Sequence, residues 1–268
     1  MIKSRAALLA VVALAGFGAH LAGAAPAAAS TLQLDGATLT YDAAPGESNR
    51  VTVSAAGDAL TVTDTGAAVR VGAGCTSVSS TQATCPAAGV AAMAVSTGDM
   101  NDTASVSGTS IPTAFNDGPG NDAMTGGAAA DTFISGAGSD SFHGGAGQDI
   151  VDYSSRGAPV NASLDGVAND GESGEGDNVG IDVNVVIGGS AGDTISGSSG
   201  SDDLYGGPGN DSLRGGSGND RLFGEAGTTA SPATAATTRS TAAPAPMRSR
   251  AARAPTPPTT PRAVPPCT

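Results

Sequence analysis

The segment Gly206–Phe223 reads GGPGNDSLRGGSGNDRLF, in which one pattern of nine residues is written twice. Each copy has glycine at positions one, two and four, aspartate at position six and an apolar residue at position eight. Glycine accepts a positive φ and lets two backbones approach closely, so the first half of each unit predicts a tight turn. The residues after the aspartate predict a short strand with one inward apolar side chain. This repetition indicates an all-β solenoid in which two units complete one coil.

The same period extends over two blocks of the sequence, residues 116–152 and 188–227. Position six is occupied by eight aspartates: Asp122, Asp131, Asp140, Asp149, Asp193, Asp202, Asp211 and Asp220. Position eight is occupied by eight apolar residues: Met124, Phe133, Phe142, Val151, Ile195, Leu204, Leu213 and Leu222. Two units depart from the pattern, because Ala129 replaces the glycine at position four and the unit 188–193 has it one place late, at Gly192. We expect weak or empty metal sites at these two turns, since a Cβ disfavours a positive φ.

The pattern closely resembles the nonapeptide repeat of secreted bacterial RTX (haemolysin-type) calcium-binding proteins, Gly-Gly-x-Gly-x-Asp-x-apolar-x. Calcium suits these residues, since it is a hard cation that takes about six to eight oxygen ligands, which carboxylates and backbone carbonyls supply. The resemblance implies a parallel β-roll with Ca²⁺ between stacked turns, and it pairs Asp122 with Asp140, Asp131 with Asp149, Asp193 with Asp211, and Asp202 with Asp220. The glycines predicted to contribute carbonyl ligands are Gly120, Gly136, Gly138, Gly145, Gly147, Gly200, Gly207, Gly209, Gly216 and Gly218. A flexible linker without phased apolar residues is the alternative interpretation, and we favour it only for the calcium-free state.

The charge distribution agrees with a cation-binding protein. All 25 acidic residues lie between Asp35 and Glu225, a segment that holds only five of the 12 basic residues. Such an acidic body excludes a nucleic-acid binder, because phosphates would be repelled. Only 3% of the residues are aromatic and there is no tryptophan, so a large enzyme with a deep apolar core is not expected either.

Residues 1–29 have the layout of a secretory signal peptide. Lys3 and Arg5 precede an apolar run from Ala6 to about Gly23, and small residues follow through Ala29. A membrane anchor is the alternative, but the run is short for a span and is diluted by glycine and His20. We therefore predict an extracellular protein with no membrane span in its mature form.

Residues 30–115 predict a small β domain that could cap the solenoid. Short segments alternate apolar and polar residues, for example Ala37–Tyr41 and Ala59–Asp64. Cys75 and Cys85 are expected to form a disulfide in an oxidising compartment, with two reduced thiols as the alternative. The overall prediction is an all-β fold, in which a small β domain precedes a parallel β-roll (β-solenoid) of nonapeptide repeats.

Two further segments interrupt or follow the repeats. Residues 153–187 are predicted to be an inserted loop and strand, whose five acids between Asp165 and Asp177 either bind another Ca²⁺ or face solvent. Residues 228–268 predict a disordered tail rich in Pro, Ala, Thr and Arg. A faint period of nine persists there, and we hypothesise that a frameshift near Thr228 has scrambled further calcium repeats.

The sequence gives little support to catalysis, and we predict no catalytic residues. Gly188–Gly192 fits a Gly-x-Ser-x-Gly elbow, but it lies inside a repeat unit, and His143 is the one histidine after the signal segment. The predicted function is that of a secreted protein whose repeats fold on binding Ca²⁺. The alternatives are a calcium-rigidified surface or adhesion protein, with cell-envelope or other extracellular partners, and the repeat fragment of a former secreted enzyme.

Overall fold

The computed structural model describes residues 29–227 and 239–242 of the chain. Every regular element among these residues is a β-strand, so the all-β prediction is confirmed. Within the same residues there is no helix with the length and apolar character needed to cross a membrane. Residues 1–28, which hold almost all of the predicted signal peptide, lie outside the described residues.

Most of the first strands of the chain form antiparallel pairs, and buried residues alternate with more exposed ones along them. They are β1 (Ser30–Asp35), β2 (Thr38–Asp42), β3 (Arg50–Ala56), β4 (Ala59–Asp64), β5 (Val69–Val71), β6 (Thr76–Ser77) and β7 (Gln82–Pro86). Strand β1 pairs with β2, β3 with β4, and β4 with β7. A disulfide bond joins Cys85 in β7 to Cys75, which directly precedes β6.

The following strands are mostly three to five residues long and build the repeats. They are β8 (Ala92–Ser96), β9 (Thr103–Ser107), β10 (Thr113–Asn116), β11 (Ala123–Thr125), β12 (Thr132–Ile134), β13 (Ser141–His143), β14 (Ile150–Asp152), β15 (Val160–Ser163), β16 (Gly171–Glu172), β17 (Asn178–Val179), β18 (Val185–Ile187), β19 (Thr194–Ser196), β20 (Asp203–Tyr205), β21 (Ser212–Arg214) and β22 (Arg221–Glu225). Within each block every strand pairs in parallel with the strand two places later, as Met124 with Phe142 and Leu204 with Leu222 show. Both pairs are eighteen residues apart, which confirms a coil of two nine-residue units.

The N-terminal strands share the two sheets of the repeats. Strand β2 pairs in parallel with β8 in one sheet, and β3 pairs in parallel with β9 in the other. The apolar interior of the first coil is therefore covered by side chains of the N-terminal hairpins, among them Leu39 and Val53, which are 2% exposed.

The apolar residues of the repeats form one column inside the roll. All eight position-eight residues are at most 1% exposed, as the period predicts. Phe115 and Phe133 stack with their ring centroids 5.1 Å apart, and Phe142 continues the column 5.7 Å from Phe133. Burial of one such side chain contributes about 1.5–3 kcal/mol. Each coil buries only two of these residues, so the column alone gives a thin core.

The segment between the two blocks is built into the roll. Strand β14 pairs directly with β18, so one sheet runs past the insertion without a break. The other sheet is split, because β13 ends against β17 while β15 starts a new sheet with β19. The side chain of Asp170 bridges the split, accepting N–H bonds from Ser163 at 2.7 Å and from Val179 at 2.9 Å. Asp170 and Asp177 are at most 1% exposed, so the interpretation of a solvated loop is wrong for these two acids.

One strand follows the second block. Strand β23 (Arg239–Ala242) pairs in parallel with β22, and Arg239 lies opposite Arg221, again eighteen residues away. The rest of the predicted tail, residues 228–238 and 243–268, lies outside the described residues, and the frameshift hypothesis falls there.

Candidate metal sites

The position-six aspartates stack in ladders along the roll. In each ladder the backbone N–H of one aspartate donates to Oδ1 of the aspartate in the next coil. These distances are 2.9 Å from Asp122 to Asp140, 2.8 Å from Asp131 to Asp149, 3.0 Å from Asp193 to Asp211, and 3.1 Å from Asp202 to Asp220. The four aspartate pairs named from the sequence are therefore neighbours, and one carboxylate oxygen of each later member is fixed by the backbone.

The second carboxylate oxygen divides the turns into two classes. In the turns that we call open, Oδ2 of the final aspartate is buried and has no hydrogen-bond partner among the described residues. The open turns are 97–102, 117–122, 135–140, 144–149, 206–211 and 215–220. A buried carboxylate oxygen without a donor is costly unless a cation neutralises it. The open turns therefore fit a hard cation.

The backbone of an open turn depends on glycine. In the turn 144–149, Gly145 and Gly147 have φ values of +87° and +150°, which a residue with a Cβ rarely adopts. A Cβ on Gly147 would also overlap the carbonyl oxygen of Ala129 in the preceding coil. Glycine thus allows the stacked turns to approach closely enough for their oxygens to point into one small volume.

In three turns, which we call closed, Oδ2 of the final aspartate accepts a backbone N–H from the same turn. Oδ2 of Asp131 accepts the N–H of Gly127 at 2.6 Å, Oδ2 of Asp193 accepts that of Gly189 at 2.7 Å, and Oδ2 of Asp202 accepts that of Ser198 at 2.7 Å. In the closed turns 126–131, 188–193 and 197–202 no residue has a positive φ.

The sequence singles out two of the three closed turns, and it misses 197–202. There Ser198 stands at position two, where the open turns 144–149, 206–211 and 215–220 have a glycine with a positive φ. The signal was therefore present, but it lay at position two rather than at position four. Gly200, a predicted ligand in that turn, has no positive φ, and neither has Gly136 in the turn 135–140.

Two residues that the sequence did not assign also belong to open turns. The turn 97–102 holds Met100 at a φ of +86° at position four, and it ends on the buried Asp102. In the turn 117–122, Asp117 occupies position one and is 1% exposed. Both turns lie at the start of the repeats, where the nine-residue pattern is least regular.

Three carboxylates of the open turns in the first block resist ionisation in the absence of a cation. Burial raises the pKa of Asp122 to about 7, although the N–H bond from Asp102 opposes this shift. Burial likewise raises the pKa of Asp149 to about 7 and that of Asp140 to about 6. Ionisation of these aspartates in the folded turns at neutral pH therefore costs free energy, and a bound cation would remove that cost.

This shift predicts that acid stabilises the calcium-free roll. The pKa values of these aspartates exceed the ordinary value of about 3.9, so between about pH 4 and 7 the folded chain binds more protons than the unfolded chain. Stability from this source is fully present below about pH 4 and is lost as the pH rises through the folded values. We expect lowering the pH of a calcium-depleted sample from about 7.5 to 5 to shift its repeat blocks towards the folded state, with a gain of β-sheet signal.

Circular dichroism spectra at each pH measure this effect, and light scattering excludes aggregation as its cause. A calcium-saturated sample is the control, and it should show the opposite trend because protons displace the ion. Loss of β-sheet signal on acidification of the calcium-depleted sample would contradict the assignment of the raised pKa values.

Arg156 supplies a built-in cation where the insertion meets the first block. Its guanidinium donates to the carbonyl oxygen of Gly136 and forms an ion pair with Glu175, and Glu172 lies 3.8 Å from its Nε. The side chain is only 9% exposed. Glu175 also accepts the N–H of Gly138 at 3.4 Å, so the arginine and this glutamate cover the turn 135–140 from the side of the insertion.

The serine of the Gly-x-Ser-x-Gly elbow motif bonds to the backbone. Ser190 is exposed, and its Oγ donates to the backbone carbonyl oxygen of Arg156 at 3.3 Å. His143 is exposed at the end of β13, as its place in the repeat predicts.

Comparisons with known proteins agree with the geometry of the turns. The family model of the RTX calcium-binding nonapeptide repeat matches in four copies, over residues 116–151, 180–213 and 196–228. The matches cover about a third of the chain and include both blocks of stacked turns. No curated protein matches the chain. Repeats of this family bind Ca²⁺, and both blocks of stacked turns in this chain are RTX calcium-binding nonapeptide repeats.

Proposed function

We propose that the protein is a secreted calcium-binding protein whose repeats fold into the roll when Ca²⁺ binds at the open turns. The observation that carries the proposal is the row of buried Oδ2 atoms without a hydrogen-bond partner in those turns. Folding brings these oxygens out of water, so the folded state needs a cation that the unfolded chain does not need.

The proposed ligands follow from the two classes of turn. Carboxylates that keep a free oxygen bind the ion together with carbonyl oxygens of the glycine loops; at position six of the repeat blocks they belong to Asp122, Asp140, Asp149, Asp211 and Asp220. In the closed turns the aspartates hold the backbone together instead, because both of their oxygens already accept hydrogen bonds, as in Asp131. Bound calcium would supply positive charge and nothing redox-active, and every other contact in the roll comes from the chain itself.

Export is the second part of the proposal. The disulfide between Cys75 and Cys85 supports an oxidising compartment, and the signal-like residues 1–29 support the same route. Outside the cell calcium is abundant enough to fill sites of modest affinity. An ordered acidic roll there would meet envelope components or other extracellular molecules as partners, and the proposal includes no catalytic step.

Isothermal titration calorimetry of the full chain tests the proposal. We expect binding of several Ca²⁺ ions per chain, with dissociation constants near 10⁻⁴ M (order of magnitude) and a gain of β-sheet signal in circular dichroism over the same range. Magnesium is the matched control, and it should bind roughly tenfold more weakly because it prefers a small octahedral site and retains its waters. Absence of both heat and spectral change up to about 10 mM Ca²⁺ would reject the proposal.

A further inference from the structure

Three aspartates of the first block meet at one point. Carboxylate oxygens of Asp117, Asp122 and Asp140 all lie within 4.8 Å of one another, and the three residues are at most 2% exposed. Oδ2 of each has no hydrogen-bond partner among the described residues. The cluster therefore consists of three unpartnered, buried carboxylate oxygens that face a common volume.

Backbone donors hold the other oxygen of each carboxylate. Oδ1 of Asp117 accepts the N–H of Gly136 at 2.6 Å, and Oδ1 of Asp140 accepts the N–H of Asp122 at 2.9 Å. Oδ1 of Asp122 accepts the N–H of Asp102 at 2.8 Å. The backbone thus fixes all three side chains, so the cluster is preorganised and does not depend on mobile surface acids.

The third carboxylate comes from a departure from the repeat. Asp117 stands at position one, where Gly144, Gly206 and Gly215 stand in the other regular turns. Each of those turns contributes one carboxylate, at position six, to a stacked pair of turns. The turn 117–122 contributes two, from Asp117 at position one and Asp122 at position six. Like charges this close would repel strongly if they remained ionised without a counter-ion.

No basic side chain of the described residues forms an ion pair with these three aspartates. Arg156 is close enough to lower the pKa of Asp140, but its ion pairs are with Glu172 and Glu175 on the side of the insertion. The three carboxylates carry a formal charge of −3 when ionised, and a divalent ion would leave −1. A carboxylate site of this charge attracts a hard cation more strongly than a site with two carboxylates.

We propose that Asp117, Asp122 and Asp140 form a three-carboxylate cation site that binds Ca²⁺ more tightly than the other turns and fills before them. The inference rests on the proposed function, because it states which of the calcium sites has the highest affinity. Asp117 determines this higher affinity, since the other turns lack an aspartate at position one.

Calcium titration of Asp117→Asn tests this assignment. The amide keeps an oxygen for the Gly136 N–H and removes one charge, so the roll should still form at high calcium. We expect the full chain to show one tight site, and in the variant that site should weaken by roughly tenfold or more while the weaker sites keep their affinity. Asp165→Asn is the charge-matched control, since Asp165 accepts the N–H of Val167 within the insertion and is exposed.

A second variant guards against a folding defect. Asp117→Gly restores the residue that the regular turns have at position one, and it should also lose the tight site while forming the roll at saturating Ca²⁺. Unchanged titration curves for both variants would overturn the three-carboxylate site, although calcium binding by the unaltered chain would leave the proposed function intact. If the unaltered chain binds no Ca²⁺ at all, the proposed function itself fails.

Discussion

Removal of calcium is expected to unfold the two repeat blocks and to leave the N-terminal hairpins folded. In the repeats each coil buries two apolar side chains but also brings in two aspartates, and burial raises the pKa of several of them, as for Asp122 and Asp149 to about 7. The apolar gain is small and the carboxylates are costly, so the balance depends on the ion. Strands β1–β7 have no such dependence, because their core is mainly apolar and closed by one disulfide, and its buried Asp64 has hydrogen-bond donors for both oxygens.

Hydrogen exchange followed by mass spectrometry resolves the two regions. With calcium, backbone amides of both regions should be protected; after chelation, protection should fall by roughly a hundredfold or more in β12, β14 and β20 and persist in β3 and β4. Refilling with Ca²⁺ should restore the protection, which distinguishes folding from chemical damage. Equal protection of β12 and β20 with and without the chelator would show that the roll is folded without Ca²⁺.

The repeat pattern was sufficient to predict the register of the roll. A nine-residue unit with one apolar position leaves one way to bury that position, so Phe133 had to lie between Phe115 and Val151 in its sheet once two units formed a coil. The sequence could not give the path of the insertion in the same way. Asp177 stacks on Asp140 at a separation of 37 residues, which is one more than a multiple of nine, so no period search would align them.

The sequence pattern predicts the distinction between open and closed turns only in part. It depends on which backbone N–H reaches Oδ2, and this is decided jointly by the residues at positions two and four. Ala129 at position four predicts one closed turn, because a Cβ disfavours a positive φ. In the closed turn 197–202 the departure from the pattern is Ser198, at position two. The N-terminal strands show a similar limit, since alternation predicts strands but does not reveal that β2 and β3 join the sheets of the repeats.

The two classes of turn also predict opposite results for two matched substitutions. Asp131 and Asp149 are consecutive members of one ladder, both are fully buried, and each fixes a backbone N–H of the preceding coil through Oδ1. They differ in Oδ2, which accepts the N–H of Gly127 in Asp131 and is unpartnered in Asp149. Replacing each by asparagine removes the same charge from two environments that differ in this one contact.

In Asp149→Asn we expect the calcium stoichiometry to fall by one ion, because the amide keeps the Oδ1 contact with Asp131 and loses the free carboxylate oxygen. In Asp131→Asn the stoichiometry should stay unchanged. There an amide N–H would face the N–H of Gly127, and leaving that donor unsatisfied should cost about 1–3 kcal/mol of stability in saturating calcium.

Calorimetric titration and thermal melts of both variants therefore separate a ligand from a structural acceptor at positions that the sequence pattern treats as equivalent. If both variants lost one ion, the hydrogen bond to Oδ2 would not exclude calcium and the closed turns would have to be counted as sites. If only Asp131→Asn lost an ion, the two classes would be assigned the wrong way round. Loss from Asp149→Asn alone means that backbone geometry, rather than the presence of an aspartate at position six, decides which turns of the roll bind calcium.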